Sequence, residues 1–455
     1  MFTRADLDQV IKAYDVRGLV DKQITPEFTF VLGTAFARFL SEEREPGTVV
    51  IGEDMRLSSD ELATAFADGL NSQGMDAVRI GLASTDMLYF ASGSLNLPGA
   101  MFTASHNPAA YNGIKLAKAG ARPIGAESGL LRIKDLMVQG VPVQVGPIGK
   151  TSTRELLPQY VDFLLSLFRS DEFSTGRRLK VVVDAGNGMA GFTAPAIMSR
   201  LNVDLVPLFF ELDGNFPNHE ANPLDPKNLA DLVERVKKEK ADIGLAFDGD
   251  ADRCFLVDEL GNSVNPSALT ALIAMRELRR KPGSTIIYNL ISSKAVPEII
   301  REQGGVPLRS RVGHSYIKKM MADSGAIFGG EHSGHFYFSD FWRADSGALA
   351  ALFAIAELAH SDQPLSHLVA PLNRYFSSGE INTKVDDPLA SVSMIKAAFE
   401  AEYQIDELDG VTVTAADWWF NVRPSNTEPL LRLNAEASTP EQLQVLKDQV
   451  LALIG

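Results

Sequence analysis

Asp248-Gly249-Asp250-Ala251-Asp252-Arg253 places three carboxylates at alternate positions of one turn. Such a cluster repels itself unless a cation sits in it, and an oxygen-only donor set suits a hard ion such as Mg²⁺. A calcium-binding EF-hand opens with the same spacing, and Glu259 falls at its twelfth position. Arg253, however, stands where that loop needs glycine, and the flanking segments read as strands, not helices. A second stretch, Thr103-Ala104-Ser105-His106-Asn107-Pro108, follows the apolar run Ala100–Phe102 and is ended by a proline. Ser105 at a strand end, with an imidazole beside it, is either a turn former or a nucleophile. A third, Gly330-Glu331-His332-Ser333-Gly334-His335, is expected to be extended. Glu331, Ser333 and His335 then share a face and suit adjacent sugar hydroxyls. Zinc ligation by Glu331, His332 and His335 is the competing reading, but no other His or Cys cluster has ligand spacing. The fourth, Arg423-Pro424-Ser425-Asn426-Thr427-Glu428-Pro429, combines a guanidinium, hydroxyls and amides, as a phosphate site does. Ser425 and Glu428 match a helix capping box, yet Leu431, Leu433, Ala435 and Ala437 alternate, so a strand is expected to follow. His314, Lys318 and Lys319 could converge on an anion or lie on the surface.

The elements that must carry these loops recur as strand, polar loop and helix. Val49–Ile51 precedes a helix through Leu62, Ala65, Phe66 and Leu70; Val78–Leu82 is a further strand. Val181–Asp184 reads as a buried strand, Asp242–Phe247 as another, and Cys254–Val257 as the strand after the acidic turn. Gly186-Asn187-Gly188-Met189-Ala190-Gly191 is a formal G-x-G-x-x-G, which invites a dinucleotide-binding reading. The acidic residue that should end a second strand is misplaced, since Asp204 precedes Leu205–Leu208. A tight turn with a helix packed closely on a sheet is therefore preferred. Asn265-Pro266 opens a helix with proline at its first position. Gly18 is read as a turn beside Tyr14 and Arg17, and Pro364–Arg374 as a linker. Strand Glu380–Val385, helix Met394–Ala401, strand Val411–Ala415 and a terminal helix opened by Thr439 complete the chain. The expected domains are 1–150, 151–258, 259–370 and 371–455.

At 455 residues the chain is long enough for several domains, and its net charge of −15 argues against nucleic-acid or membrane-surface partners. One cysteine, Cys254, excludes an internal disulfide and fits a reducing compartment. The amino terminus lacks the apolar core of a signal peptide. The expectation is a cytoplasmic protein that acts on small molecules, with a monomer as the working state.

Together the stretches TASHNP, DGDADR, GEHSGH and RPSNTEP, in this order, resemble those of the α-D-phosphohexomutase superfamily, and most of all its phosphomannomutase/phosphoglucomutase branch. The resemblance implies an α/β protein of three similar domains plus a C-terminal α+β domain around a central cleft. It implies that Ser105 is phosphorylated and that Asp248, Asp250, Asp252 and an oxygen on Ser105 hold Mg²⁺. It further implies transfer between C6 and C1 through a hexose 1,6-bisphosphate, which also serves as activator. Arg253 would assist the transfer, with Lys115, His106 or His314 moving the proton. Tyr14, Arg17, Glu331, Ser333 and His335, with Arg423, Ser425, Asn426 and Thr427, would bind the sugar phosphate. His332 stands where this branch often has Met, and Ile291 where some members have a lysine, with Lys294 nearby; sugar preference stays open. Ala251 and Asn426 depart from the phosphoglucosamine mutase pattern. That mutase, a Mg²⁺-dependent phosphatase and a non-catalytic sugar-phosphate binder are the alternatives.

Overall fold

The structure, a computed structural model, describes residues 2–142, 146–424 and 430–454, with only the backbone at 314 and 315. It divides into two compact units, Met1–Val264 with Ser333–Ser366, and Asn265–His332 with His367–Gly455.

The first unit holds two sheets, each with parallel pairings on one side and antiparallel pairings on the other. In one, Thr48–Glu53 pairs in parallel with Asp76–Leu82 and Gly99–Phe102, and Tyr111–Lys118 runs antiparallel to Gly99–Phe102. In the other, Leu179–Asp184 pairs in parallel with Val203–Leu208 and Ile243–Phe247. Cys254–Asp258 returns antiparallel to Ile243–Phe247, with Phe247 opposite Cys254. The acidic stretch is therefore the six-residue connection of a hairpin whose two strands are buried throughout. Buried on both faces, these central strands read as continuous apolar runs.

Helices cover the sheets for reasons visible in their sequences. Pro26–Glu42 begins with proline at the first turn and with the Thr25 side chain accepting from the Phe28 amide. It buries Phe28, Leu32, Phe36, Phe39 and Leu40, each contributing about 1.5–3 kcal/mol by removal from water. Ser59–Ser72 packs beside it, and Gly33 and Gly69 let the backbones meet: a Cβ on Gly69 would lie 2.2 Å from the Phe30 carbonyl oxygen. The helix Thr85–Leu95, between Leu82 and the serine loop, was not expected. Its first eight residues are all buried, so it lacks the two-faced pattern that marks a surface helix.

In the second unit, Asn265 caps the helix Pro266–Arg280, and Thr285–Asn289 pairs in parallel with Val306–Ser310 and Phe328–Gly330. The C-terminal sheet is antiparallel in the order Phe376–Lys384, Leu430–Ala437, Trp418–Pro424, Val411–Thr414, Gln404–Asp406. Helices Pro388–Phe399 and Pro440–Ile454 close one face of it around Phe399, Phe420, Val422, Leu433, Leu446 and Val450. Thr439 caps the last helix through the Gln442 amide, 3.2 Å away.

Three local expectations are corrected. Gly18 lies inside the strand Val16–Leu19, where a Cβ would meet Val10 Cγ1 at 2.9 Å; the glycine makes room, not a turn. The segment Pro364–Arg374, in which the chain passes from the first unit to the second, is not irregular: it contains the helix Leu365–Val369 and the 3₁₀ turn Ala370–Leu372. Residues 331–334 form a turn beyond the strand Phe328–Gly330, with Gly334 at φ +86°, so strand alternation does not apply to Glu331, Ser333 and His335.

Candidate active site

The serine loop leaves the strand Gly99–Phe102 at its carboxyl end, and the acidic loop leaves Ile243–Phe247 the same way. Ser105 adopts the left-handed conformation (φ +49°), which a residue with a Cβ enters at a cost, and it is 95% buried. The Thr103 hydroxyl accepts from the Ser105 amide at 2.9 Å and tightens the turn. Ser105 Oγ donates to Asp248 Oδ2 at 2.6 Å, and Arg253 Nη2 donates back to Ser105 Oγ at 3.0 Å. Residues 143 or more positions apart thus meet around one hydroxyl.

Asp248, Asp250 and Asp252 are all buried, and their oxygens approach within 4.8 Å of one another. Arg253 Nε donates to Asp248 Oδ2 at 2.8 Å. Lys115 Nζ donates to Asp250 Oδ2 at 2.7 Å and to Asp252 Oδ2 at 2.5 Å, and the Thr85 hydroxyl donates to Asp250 Oδ2 at 2.6 Å. Burial, followed by the charges of Asp252 and Asp250, pushes the Asp248 carboxyl up against the opposing pull of Arg253. Burial would raise Asp250 as well, but Lys115 overcomes it and holds that carboxylate far down. Burial works against the Lys115 charge too, yet Asp250 and Asp252 outweigh it and keep Lys115 an ammonium. Among the described residues, the second oxygens, Asp250 Oδ1 and Asp252 Oδ1, are buried without a hydrogen-bond partner. Buried acceptors are nearly always paired. Two orphaned carboxylate oxygens in an all-oxygen cluster therefore fit a divalent cation.

His106 Nδ1 lies 3.4 Å from Ser105 Oγ and takes a short hydrogen bond from Arg253. The Arg253 charge, and then burial, drive its pKa well below the ordinary value, so the imidazole is neutral, with the proton on Nε2. His335 is brought in by a backbone bridge to Arg253. Its Nε2 is 3.5 Å from Asp252 Oδ1, and its Nδ1 is 2.9 Å from the Ser333 hydroxyl. Asp345 joins Asp252 and His335 in a second set with ligating atoms within 4.8 Å. Arg17 donates to Asn107 Oδ1 at 2.6 Å and pairs with Asp15, while Tyr14 is half-buried in the bend before them.

In the second unit Glu331 is buried, and its Oε1 accepts from the Gly313 amide at 3.1 Å and from Asn289 Nδ2 at 3.4 Å. Arg423 is the penultimate residue of the strand Trp418–Pro424 and is paired with Glu380 at 2.7 Å and with Asn434 Oδ1 at 2.9 Å. Lys294 donates to the Ala415 and Ala416 carbonyls, so its ammonium is already engaged. Ser425, Asn426 and Thr427 lie outside the described residues, as does the side chain of His314.

Two residues that position the centre lie outside the four chemical motifs. Gly188 lies in the turn after the strand Leu179–Asp184, where a Cβ would sit 2.7 Å from the Gly249 carbonyl oxygen, and the Met189 amide donates to that oxygen at 2.9 Å. The G-x-G-x-x-G segment is thus a close-packed turn that supports the acidic loop, as its misplaced acidic partner indicated. Arg56 is the other: it is buried beneath the serine loop, and nothing in its local sequence sets it apart from a surface charge.

Four family models match in succession. They are phosphoglucomutase/phosphomannomutase alpha/beta/alpha domains I, II and III at residues 8–138, 158–261 and 265–375, and the C-terminal domain at 380–453. The chain belongs to the phosphoglucomutase/phosphomannomutase family. Its architecture is accordingly three α/β domains and a C-terminal domain built on a sheet. A phosphomannomutase of Escherichia coli is 37% identical, covering 97% of this chain and 98% of the relative. A phosphomannomutase/phosphoglucomutase of Pseudomonas putida is 37% identical over 97% and 94%. The crystal structure of a family protein from Burkholderia thailandensis superposes with a TM-score of 0.90 at 31% identity, covering 100% of this chain and 97% of that one. Among the described residues no helix is long and apolar enough to cross a membrane.

Proposed function

We propose that this family member interconverts hexose 6-phosphate and hexose 1-phosphate, of mannose, glucose or both, with Ser105 carrying the phosphoryl group. The observation that carries the reading is the buried Ser105 Oγ, held between Asp248 at 2.6 Å and Arg253 at 3.0 Å. Phosphoryl transfer asks mainly for positioning and for stabilised charge, and these contacts supply both.

A free hydroxyl of the sugar phosphate attacks phosphorus on phosphorylated Ser105. The sugar O–P bond forms as the Ser105 Oγ–P bond breaks; the proton leaves the sugar hydroxyl and one proton returns to the departing Ser105 oxygen, passed on by one of Lys115, His106 or His314. Arg253 stabilises charge on the departing Ser105 oxygen. The resulting hexose 1,6-bisphosphate then returns its other phosphoryl group to Ser105 by the reverse exchange of bonds. Lys115, kept charged, is suited to donate a proton, and His106, kept neutral, bears on the serine through Arg253. Asp248, Asp250, Asp252 and an oxygen on phosphorylated Ser105 would hold Mg²⁺, which when bound neutralises negative charge on the transferring group. We assign Glu331, Ser333 and His335 to the sugar, and Tyr14, Arg17, Arg423, Ser425, Asn426 and Thr427 to its hydroxyls and non-reacting phosphate. A hexose 1,6-bisphosphate is the proposed activator, because it can phosphorylate an unmodified Ser105. The lone cysteine fits a cytoplasmic enzyme.

The test is phosphorus NMR with Mg²⁺, a trace of glucose 1,6-bisphosphate, and mannose 1-phosphate or glucose 1-phosphate in separate tubes. Appearance of the 6-phosphates is expected, and their relative rates give the sugar preference. Release of inorganic phosphate instead would make the chain a phosphatase; an unchanged spectrum in both tubes would shift the substrate to another sugar phosphate, glucosamine first.

A further inference from the structure

Arginine is almost never fully buried unless its donors are matched. The Arg56 side chain is 99% buried, and all five of its N–H donors are spent. Nε donates to Asp54 Oδ2 at 3.2 Å. Nη1 donates to the carbonyls of Pro108 and Tyr111, both at 2.9 Å, and Nη2 to those of Ser105 and Asn107 at 2.9 and 2.7 Å. One planar group therefore gathers four carbonyls from the segment that contains the strained serine. Asp54 is itself fixed, accepting from the Ser59 hydroxyl at 2.7 Å and from the Arg56 amide at 3.0 Å.

A second element clamps the guanidinium from the other domain of this unit. The Phe216 ring lies over Arg56 Cζ, 5.2 Å from ring centroid to carbon. Gly214 packs so closely that a Cβ would stand 2.7 Å from Arg56 Cα. The segment 213–219 is tied to the turn beside the acidic loop: the Asp213 amide donates to the Asn187 carbonyl at 3.0 Å, and Asn218 Nδ2 to Asn187 Oδ1 at 2.8 Å. His219 Nε2 meets Asp184 Oδ2 at 3.0 Å. The same turn holds the Gly249 carbonyl through the Met189 amide.

We propose that Arg56, clamped by Phe216, is a positioning residue that sets the backbone of the serine loop relative to the carboxylates of the acidic loop. It touches no reacting atom; it acts through the Ser105 carbonyl. This inference rests on Ser105 being the phosphoryl carrier. Lysine cannot replace it, because an ammonium has three donors and no fork. Loosening the loop degrades alignment at phosphorus, and misplacement by about 1 Å costs about 10²-fold in rate.

The experiment compares wild type, Arg56→Lys, Arg56→Ala and Phe216→Leu. Phosphate incorporated at Ser105 from glucose 1,6-bisphosphate is followed by intact mass, and turnover of mannose 1-phosphate and glucose 1-phosphate by a coupled assay. For Arg56→Lys, kcat is expected to fall about 10²-fold with KM changed by less than about three-fold, since the residue does not bind substrate. Millimolar guanidinium should restore at least about ten-fold of the lost kcat to Arg56→Ala and nothing to wild type. Phe216→Leu, which keeps a folded apolar side chain over the group, should fall about ten-fold and serves if the Arg56 variants do not fold. A normal kcat in Arg56→Lys or in Phe216→Leu, or a loss confined to KM, overturns the inference. Wild-type protein that takes no phosphate at Ser105 yet turns over would instead overturn the phosphoserine reading beneath it.

Discussion

Gly249→Ala is the most exacting test of how the serine and acidic loops meet. A Cβ at residue 249 would lie 2.4 Å from the Ser105 carbonyl oxygen, whereas real Cβ contacts essentially never fall below 3.0 Å, so the loops must part by at least 0.6 Å. Little nearby can yield. The Ser105 carbonyl is held by Arg56 at 2.9 Å, its amide by Thr103 at 2.9 Å, and the Gly249 carbonyl by the Met189 amide at 2.9 Å. The opening therefore falls on the line between Ser105 Oγ and Asp248. At about 10²-fold per ångström of misplacement, it should lower kcat by about ten- to one-hundred-fold. Overpacking costs about 1–3 kcal/mol, and alanine returns about 0.4–1 kcal/mol by stiffening the unfolded chain. The net loss should be about 1–2 kcal/mol, enough to lower the unfolding midpoint by a few degrees without unfolding the protein. Gly47→Ala, where a Cβ would meet nothing within 4 Å, is the control. Steady-state kinetics and a thermal melt of both variants decide the matter. A Gly249→Ala enzyme within about two-fold of wild type in kcat, with an unshifted melt, would refute the close approach and the argument built on it.

Ser105→Ala should abolish mutase turnover, and so should Ser105→Gly. The glycine variant should be the more stable in a thermal melt, because φ +49° strains alanine and not glycine; wild-type turnover in either would remove Ser105 from the chemistry. Asp86, buried beside Ser84 and Ser346, is raised by burial from 3.8 to about 6 despite hydrogen bonds from Ser346 and Ser84. The folded state therefore holds this proton more tightly. About 3 kcal/mol of stability present below pH 4 should fade as pH rises towards 6, and equal pH slopes in wild-type and Asp86→Asn unfolding between pH 4 and 6.5 would contradict this. Burial depresses His219, but its hydrogen bond and charge contact with Asp184 outweigh it and raise the pKa above 6.5. Its contribution is full below that value and is lost as pH rises through the folded pKa. A His219 proton resonance titrating at or below 6.5 would show the pair to be weaker than its geometry suggests.

What the sequence disclosed and what it withheld divide along the range of the interactions concerned. Strands such as Val181–Asp184 and Asp242–Phe247 were legible because continuous apolar runs report burial on both faces. The acidic turn was legible because three carboxylates within five residues conflict unless something outside the sequence resolves them. The backbone around Glu331, Ser333 and His335 was misread locally, because a turn through residues 332–334, with Gly334 at φ +86°, replaces the extended alternation that the reading needed. Arg56 was silent for the opposite reason. Between Asp54 and Ser58 it looks like a charge on a loop paired with a neighbouring carboxylate, and four of its five donors go to backbone carbonyls 49 to 55 residues away, which leave no side-chain signature. Gly186-Asn187-Gly188 lies between these cases. Its composition announced a tight turn, while the object it packs against, the carbonyl of Gly249, is supplied by the loop that follows a neighbouring strand of the same sheet. Residues that act by side-chain chemistry advertise themselves by type and spacing. Residues that act by fixing main chain do so only through the fold, and Arg56 and Gly249, which fix the backbone on either side of Ser105, are therefore where substitution can separate positioning from chemistry.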